Sequence, residues 1–162
     1  VDISNDAPAL FPLGNTVVTW SSVDDFLNTG TAEQNVTIED TSPPIFDYFA
    51  ITPNTLWPPN HKMVKISVDL RVSDICDDSL TVRLVSIQSN EPDNDKGDGN
   101  TTDDIQEAIF GLDDREFYLR AERAGGGTGR VYTVTFMVED DSGNTAFQSG
   151  TVTVPKSKKV TE

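Results

Sequence analysis

Acidic residues cluster in one stretch of the chain with the spacing of metal ligands. Asp93 and Asp95 are separated by one residue, and Asp104 lies eleven residues after Asp93, as in a calcium-binding loop. An EF-hand has Gly at its sixth position, where this chain has Asp98, so that motif does not fit. A loop between strands can still surround Ca²⁺ with carboxylates, and the alternative is a solvated acidic loop. The predicted ligands of this loop are Glu91, Asp93, Asp95, Asp98, Asp103 and Asp104.

Two further turns carry carboxylates that bear on a metal site. Asp74, Asp77 and Asp78 form a second candidate cluster between two predicted strands, and the sequence does not decide which pole of the domain it occupies. The segment 140–144 combines Asp, Gly and Asn, which are the residues that a tight hairpin turn requires. We interpret that segment as a structural turn. Its counterpart at Asp24-Asp25 is interpreted in the same way.

An aromatic residue in a proline-rich loop indicates a second kind of chemistry. Trp57 is followed by Pro58, Pro59, Asn60 and His61, and a tryptophan face with polar neighbours can stack on a sugar. The alternative is a rigid loop in which the tryptophan caps the core. The ligand-binding candidates for a carbohydrate site are Trp57, Asn60, His61, Arg120 and Glu122.

Composition argues against catalysis and against nucleic acid as a partner. The chain has one His and one Cys, so a multi-histidine metal centre is excluded, and neither residue has a nucleophile motif around it. A net charge of −15 repels phosphate backbones. Extracellular Ca²⁺ is the natural counter-ion for such clustered carboxylates, so Ca²⁺ is the expected cofactor. The apolar runs are too short for a membrane span.

The elements that position these residues are predicted to be β-strands. Apolar residues alternate with polar ones from Lys62 to Val72, which is typical of a strand with one buried face. Asp103 to Phe110 is the one segment whose pattern allows a short helix. The other predicted strands are Phe46 to Ile51, Leu80 to Ile87, Glu116 to Ala121, Val131 to Val138 and Thr145 to Val154.

An internal repeat defines the domain organisation. Residues 18–38 and 134–154 share one pattern at an offset of 116, which indicates tandem β-domains. We predict a partial unit with a β-hairpin and linker at 1–42, a complete unit at 43–155 and a basic tail at 156–162. Short strands with frequent turns indicate that the complete unit is an antiparallel immunoglobulin-like sandwich of about seven strands.

The residues also resemble a known family. Phe11 to Trp20 together with Val36 to Pro44 resembles the second half of a hyalin-repeat (HYR) domain. The complete unit is similar to the immunoglobulin-like repeats that adjoin HYR domains in large secreted or cell-surface microbial proteins. Two departures are Leu27, where the usual residue is Gly, and Cys76, which lacks a partner cysteine. The resemblance implies an extracellular, non-catalytic spacer or adhesion role. It is carried further by Leu56 to Val64, Ser89 to Pro92, Gly97 to Gly99, Leu119 to Arg123 and Asp141 to Asn144.

The partial unit predicts protein partners. A lone hairpin is marginal in water, so its apolar residues require cover from a longer parent chain, from the neighbouring domain, or from another copy of the chain by β-augmentation into filaments. Glycans are a second class of partner, through the Trp57 loop, and covalent glycosylation is a separate expectation. Asn35 and Asn100 begin acceptor sequons, and Asn100 is the better candidate because it lies in a polar loop.

Overall fold

The described part of the chain is all-β, with ten strands in three antiparallel sheets. The structure, a computed structural model, describes residues 1–157. Within that range no residue is helical, and accordingly no helix there is long and apolar enough to cross a membrane. The strands are β1 (Asp2–Asn5), β2 (Gly14–Val23), β3 (Thr29–Ile38), β4 (Ile45–Thr52), β5 (Met63–Ser73), β6 (Thr81–Ser89), β7 (Ile105–Gln106), β8 (Glu116–Arg120), β9 (Gly129–Glu139) and β10 (Thr145–Pro155).

The chain divides into two compact units, one from Val1 to Thr41 and one that begins at Ser42. The first unit is a single sheet in the order β1-β2-β3. Strands β2 and β3 form the hairpin that the sequence predicts. Strand β1 was not predicted, because its four exposed residues show no apolar alternation.

The second unit contains seven strands in two sheets that enclose one core. Strands β4-β5-β8-β7 form one sheet and β10-β9-β6 form the other. The core lies between them, as in a β-sandwich. Alternation explains the strand faces: Ile66, Val68 and Leu70 are buried, whereas Ser67 and Asp69 between them are exposed.

The internal repeat is present in the strand pairing. Sheet β1-β2-β3 has the same strand order as β6-β9-β10, and the residue pairs of the two sheets correspond across both strand junctions. In the first sheet Val23 pairs with Asp2 and Thr29, and at the matching place in the second sheet Glu139 pairs with Thr81 and Thr145. Likewise, Trp20 pairs with Asn5 and Ala32. Its match Phe136 pairs with Leu84 and Gln148. One sequence pattern therefore builds one sheet twice.

The helix predicted at Asp103 to Phe110 is wrong. Ile105 instead pairs with Leu119, which makes β7 a short edge strand beside β8. Asp103 and Glu107 have φ angles of 61° and 58°, which no right-handed helix accommodates. The predicted basic tail extends from Lys156 to residue 162, and Lys158 and Lys159 in it lie outside the described residues.

Candidate functional site

The acidic loop between β6 and β7 is closed on itself by hydrogen bonds. The carboxylate of Asp93 accepts the backbone N–H groups of Asp103 and Asp104, each at 2.9 Å. Asp98 is fully buried, and its carboxylate accepts the backbone N–H groups of Asp95 and of Asn100. The loop carboxylates thus act as caps for backbone donors, which fixes the shape of the loop.

Buried charges continue from this loop into the domain. Asp104 is 2% exposed and accepts Arg120 Nε at 3.0 Å. Its second oxygen contacts Arg130, which is itself fully buried. Arg130 Nε also lies 3.4 Å from Glu91, whose carboxylate accepts the backbone N–H of Ala124 at 2.7 Å. Two of the six predicted ligands are therefore paired with a buried guanidinium.

Glu122 forms the other end of this network. It is fully buried, and its Oε2 lies 3.1 Å from His61 Nδ1 and accepts a hydrogen bond from the hydroxyl of Thr101. Arg120 Nε is 3.8 Å from the same oxygen. Gly99 allows the His61 ring to approach, because a Cβ at Gly99 would lie only 2.8 Å from that ring. A side chain at that position would displace the histidine from Glu122.

A cation at this loop would have to displace existing partners. The oxygens of Asp93, Asp98 and Asp104 already accept from N–H groups or a guanidinium, and Ca²⁺ requires six to eight oxygen ligands. Among residues 1–157, no three acidic side chains of this loop place ligand atoms within 4.8 Å of one another. The calcium loop stays a prediction, and its donor set fits poorly in this conformation.

The second predicted cluster lies beside the turn that we interpreted as structural. A carboxylate oxygen of Asp77 is within 4.8 Å of one of Asp140, which is 6% exposed. Asp74 Oδ1 accepts the backbone N–H groups of Cys76 and Asp77. Asp78 is exposed. Carboxylate oxygens from two turns therefore lie close together here. Both oxygens of Asp140 already accept hydrogen bonds from Asn144, so a cation at this cluster, as at the acidic loop, would compete with existing donors.

The turn at Asp140 also holds its own hairpin together. Asp140 accepts the backbone N–H of Asn144 at 2.7 Å and its side-chain amide at 2.9 Å. Burial opposes the charged form of Asp140, but the donors of Asn144, Ser142 and Gly143 outweigh burial and lower the pKa of Asp140 from its ordinary value of 3.8. The sequence did not predict that one carboxylate would serve the turn and also adjoin Asp77.

The same turn occurs in the first unit. Asp24 accepts the backbone N–H of Asn28 and its side-chain amide, both at 2.8 Å. The hydrogen bonds from Asn28, its side chain first, lower the pKa of Asp24 from 3.8. Residue 27 at this turn is Leu with a φ of 65°, whereas Gly143 occupies the matching position with a φ of 88°. Leu27, which departs from the glycine usual in the resembling family, therefore has a left-handed backbone conformation.

Trp57 lines a surface groove of about 700 Å³ in the second unit. Its side chain is 41% exposed, and polar neighbours in the groove include Thr55, Asn90 and Lys156. The other four carbohydrate candidates are absent from the described lining of this groove. Three of them belong to the buried network, while the Asn60 side chain accepts the backbone N–H of Lys62.

The structure brings in residues that the sequence analysis missed. Arg130 and Thr101 complete the buried network, and Asn90 and Lys156 contribute to the Trp57 groove. No pattern in the sequence distinguishes Arg130, because a basic residue at the start of a strand is ordinarily exposed. Both glycosylation candidates, Asn35 and Asn100, are exposed.

Comparisons with known proteins add no relatives to this picture. A scan against protein-family models and searches of curated proteins and of solved structures found no significant match to the chain.

Proposed function

We propose that the chain is a non-catalytic, calcium-stabilised spacer or adhesion module of a secreted or cell-surface repeat protein. The repeated sheet carries this proposal, because β1-β2-β3 reproduces the order and pairing of β6-β9-β10. Equal sheets in successive units are expected of a tandem array of β-domains. The resemblance to HYR domains and their neighbouring repeats points the same way.

An immunoglobulin-like topology is part of the proposal. In chain order the second unit pairs its first, second, fifth and fourth strands in one sheet, and its seventh, sixth and third in the other. That order corresponds to the ABED and CFG sheets of constant-type immunoglobulin domains. Domains of this class place their loops at two poles, which suits modules joined end to end.

Calcium would stabilise the pole at which the Asp77 and Asp140 turns meet. Two carboxylates within 4.8 Å repel each other, and a divalent cation would reverse the sign of that interaction. An ion that binds only the folded state stabilises it by about 2.7 kcal/mol at a hundred times its Kd. Removal of the ion is therefore expected to lower the melting temperature by several degrees.

The test is thermal melting in millimolar Ca²⁺ and in excess EGTA. We expect the chain to melt at a lower temperature in EGTA, and Asp77→Asn with Asp140→Asn to abolish the difference. Asp95→Asn with Asp98→Asn is the matched variant for the acidic loop. If only that variant abolished the difference, the ion would belong to the loop. Identical wild-type curves in the two buffers would refute calcium stabilisation.

Carbohydrate binding is the alternative function, and the groove beside Trp57 favours it. A half-exposed indole with polar groups around it is a common platform for a sugar ring. Glycan-array binding that Trp57→Ala abolishes would support this function. Phe147→Ala is the control, since Phe147 is an exposed aromatic residue outside the described lining of the groove. Equal binding by both variants would exclude the groove as the site.

A further inference from the structure

The outer face of the β10-β9-β6 sheet carries an apolar row that crosses all three strands. Met137 of β9 pairs with Phe147 of β10 on one side and with Arg83 of β6 on the other. Phe147 is 60% exposed, and Val85, which adjoins the row on β6, is 42% exposed. We name this surface the neutral face; it consists of the outward side chains of β6, β9 and β10, and its apolar row is Val85, Met137 and Phe147.

A β-bulge brings Val85 to the outer face. The pairing of β6 with β9 shifts its register between Leu84 and Ser86, so the pairing passes over Val85. Leu84 and Ile87 are buried, whereas the two residues between them lie on the outer side. Regular alternation would have buried one of those two side chains. The bulge therefore adds an apolar side chain to the exposed face at the expense of the core.

The hairpin pattern does not require this row. In the first sheet Ser21 and Thr31 form the pair that matches Met137 and Phe147. Two hydroxyl side chains therefore serve the same register at the same place in the repeat. The second unit instead exposes a methionine and a phenylalanine there, and large apolar residues that are grouped on a surface mark an interaction site.

The neutral face is almost free of charge in a chain whose net charge is −15. Arg83 and Glu139 are the only charged residues among its outward side chains, all of which lie in the described part of the chain, and they form an ion pair with each other. The hydroxyl groups of Thr135 and Ser149, beside the apolar row, share a hydrogen bond of 2.8 Å. Burial of this face would therefore leave few polar groups without a partner. Depletion of charge around Phe and Met is typical of the centre of a protein–protein interface.

The order of the side chains along the row indicates the partner. Met137 is on the middle strand, with Phe147 on one side and Arg83 on the other. A two-fold axis along β9 reverses this order in a second copy, so each Phe147 meets Arg83 and Val85 of the other copy. Guanidinium groups bind favourably to aromatic faces, and the aliphatic stem of arginine adds apolar contact. The row is thus complementary to itself, whereas a strongly basic or acidic partner finds one ion pair that is already neutralised.

We propose that the neutral face is the interface of a symmetric homodimer, in which two β10-β9-β6 sheets pack face to face. Strands of 11 residues that rise about 3.4 Å per residue and lie about 4.8 Å apart give a three-stranded face of roughly 500 Å². Two copies then bury about 1,000 Å², which is close to the smallest area of a specific interface. The dimer is therefore weak and forms at high protein concentration. This inference goes beyond the proposed function and does not depend on calcium or on glycan binding.

Sedimentation equilibrium of the whole chain, from micromolar to millimolar concentration, tests the proposal. We expect a monomer–dimer equilibrium that Phe147→Thr with Met137→Ser weakens by roughly tenfold or more, since these variants install the residues of the matching pair in the first sheet. Phe26→Ser is the control: Phe26 is 86% exposed in a turn of the first unit, and its loss should not change the dissociation constant. Added salt should strengthen the dimer, because it screens the repulsion between two chains of charge −15.

Cross-linking tests the geometry and keeps the apolar row intact. The outward residues of β9 lie on the proposed axis, so Thr133→Cys in a Cys76→Ser background brings two thiols to opposite sides of the about 10 Å gap between packed sheets. A short bismaleimide should join these thiols several-fold faster than those of Val17→Cys, the matching position in the first sheet. Equal cross-linking of the two cysteine variants would overturn the proposal. A dimer that Phe147→Thr with Met137→Ser leaves intact would also overturn it, as would a chain that stays monomeric at millimolar concentration, whose row would then await a different protein.

Discussion

The turn between β9 and β10 allows a direct measurement of the cost of a left-handed residue in this fold. Gly143 has a φ of 88°, and no heavy atom lies within 4 Å of a Cβ added there. A substitution at Gly143 therefore changes backbone energy without a steric clash. We predict that Gly143→Ala destabilises the second unit, and that Gly126→Ala, in equally open space without a positive φ, does not.

The magnitude follows from two opposing terms. An L-residue in the left-handed region costs about 1–2 kcal/mol. Replacement of Gly by Ala restricts the unfolded chain and returns about 0.4–1 kcal/mol. The expected net loss of unfolding free energy for Gly143→Ala is about 1 kcal/mol. Because the unfolded-state term is common to both variants, the difference between Gly143→Ala and Gly126→Ala isolates the left-handed cost.

Urea unfolding followed by far-UV circular dichroism measures both variants. We expect the unfolding midpoint to fall for Gly143→Ala, with an unchanged dependence on urea concentration. Equal unfolding free energies for the two variants would refute the reasoning. The substitution Leu27→Gly tests the reverse change in the first unit, where the left-handed residue is Leu. It should increase the hydrogen-exchange protection of the Asp24 N–H, which donates to the carbonyl of Asn28.

Three further predictions concern ionisable groups. The pKa of Asp140 is lower in the folded than in the unfolded chain, so the free energy of unfolding should fall as the pH drops from about 4 through the folded value. Acid unfolding should show a smaller loss in Asp140→Asn than in the wild type. Arg130→Met removes the buried guanidinium that contacts Glu91 and Asp104, of which only Asp104 keeps a second arginine, and should cost about 3–5 kcal/mol in urea unfolding. Arg83→Met is its control, because that half-exposed ion pair should contribute at most about 1 kcal/mol. Burial raises the pKa of Tyr132 above its ordinary value of 10.0. An absorbance titration should therefore show one phenol that ionises at higher pH than the others, and Tyr132→Phe should remove this step. The free energy of unfolding should fall as the pH rises through it.

Much of the fold was predictable because alternation is a local signal. In β5 the residues Ile66, Val68 and Leu70 alternate with charged or polar ones, and the structure buries them as predicted. Strand β1 lacks that signal: it pairs with β2 although all four of its residues are exposed. Its position depends on the edge that β2 presents, which no property of residues 2–5 reveals.

The wrong helix prediction has a similar origin. Residues 103–110 contain the apolar spacing of a short helix, but Ile105 pairs with Leu119, which lies fourteen residues further along the chain. Short helices are marginal in water, so a tertiary contact of this kind readily overrides local propensity. Two left-handed residues, Asp103 and Glu107, lie on either side of the short strand β7 within this segment.

The candidate site was only partly predictable, because an acidic pattern does not reveal its partners. The sequence predicted Asp93, Asp98 and Asp104 as metal ligands. In the structure their carboxylates accept hydrogen bonds from backbone N–H groups and arginines. Arg130 reaches Asp104 from a strand that begins 25 residues later. A cation and a guanidinium satisfy the same carboxylate electrostatics, so the two interpretations have one sequence signature.

The repeat separates local from tertiary causes within a single chain. The two hairpins share their pairs and their Asp–Asn turn, although one turn contains Leu27 and the other Gly143, so the local pattern suffices for register. Burial does not follow in the same way, since Trp20 is 39% exposed and the matching Phe136 is fully buried. The difference must therefore come from the opposing sheet, which the second unit has and the described first unit lacks.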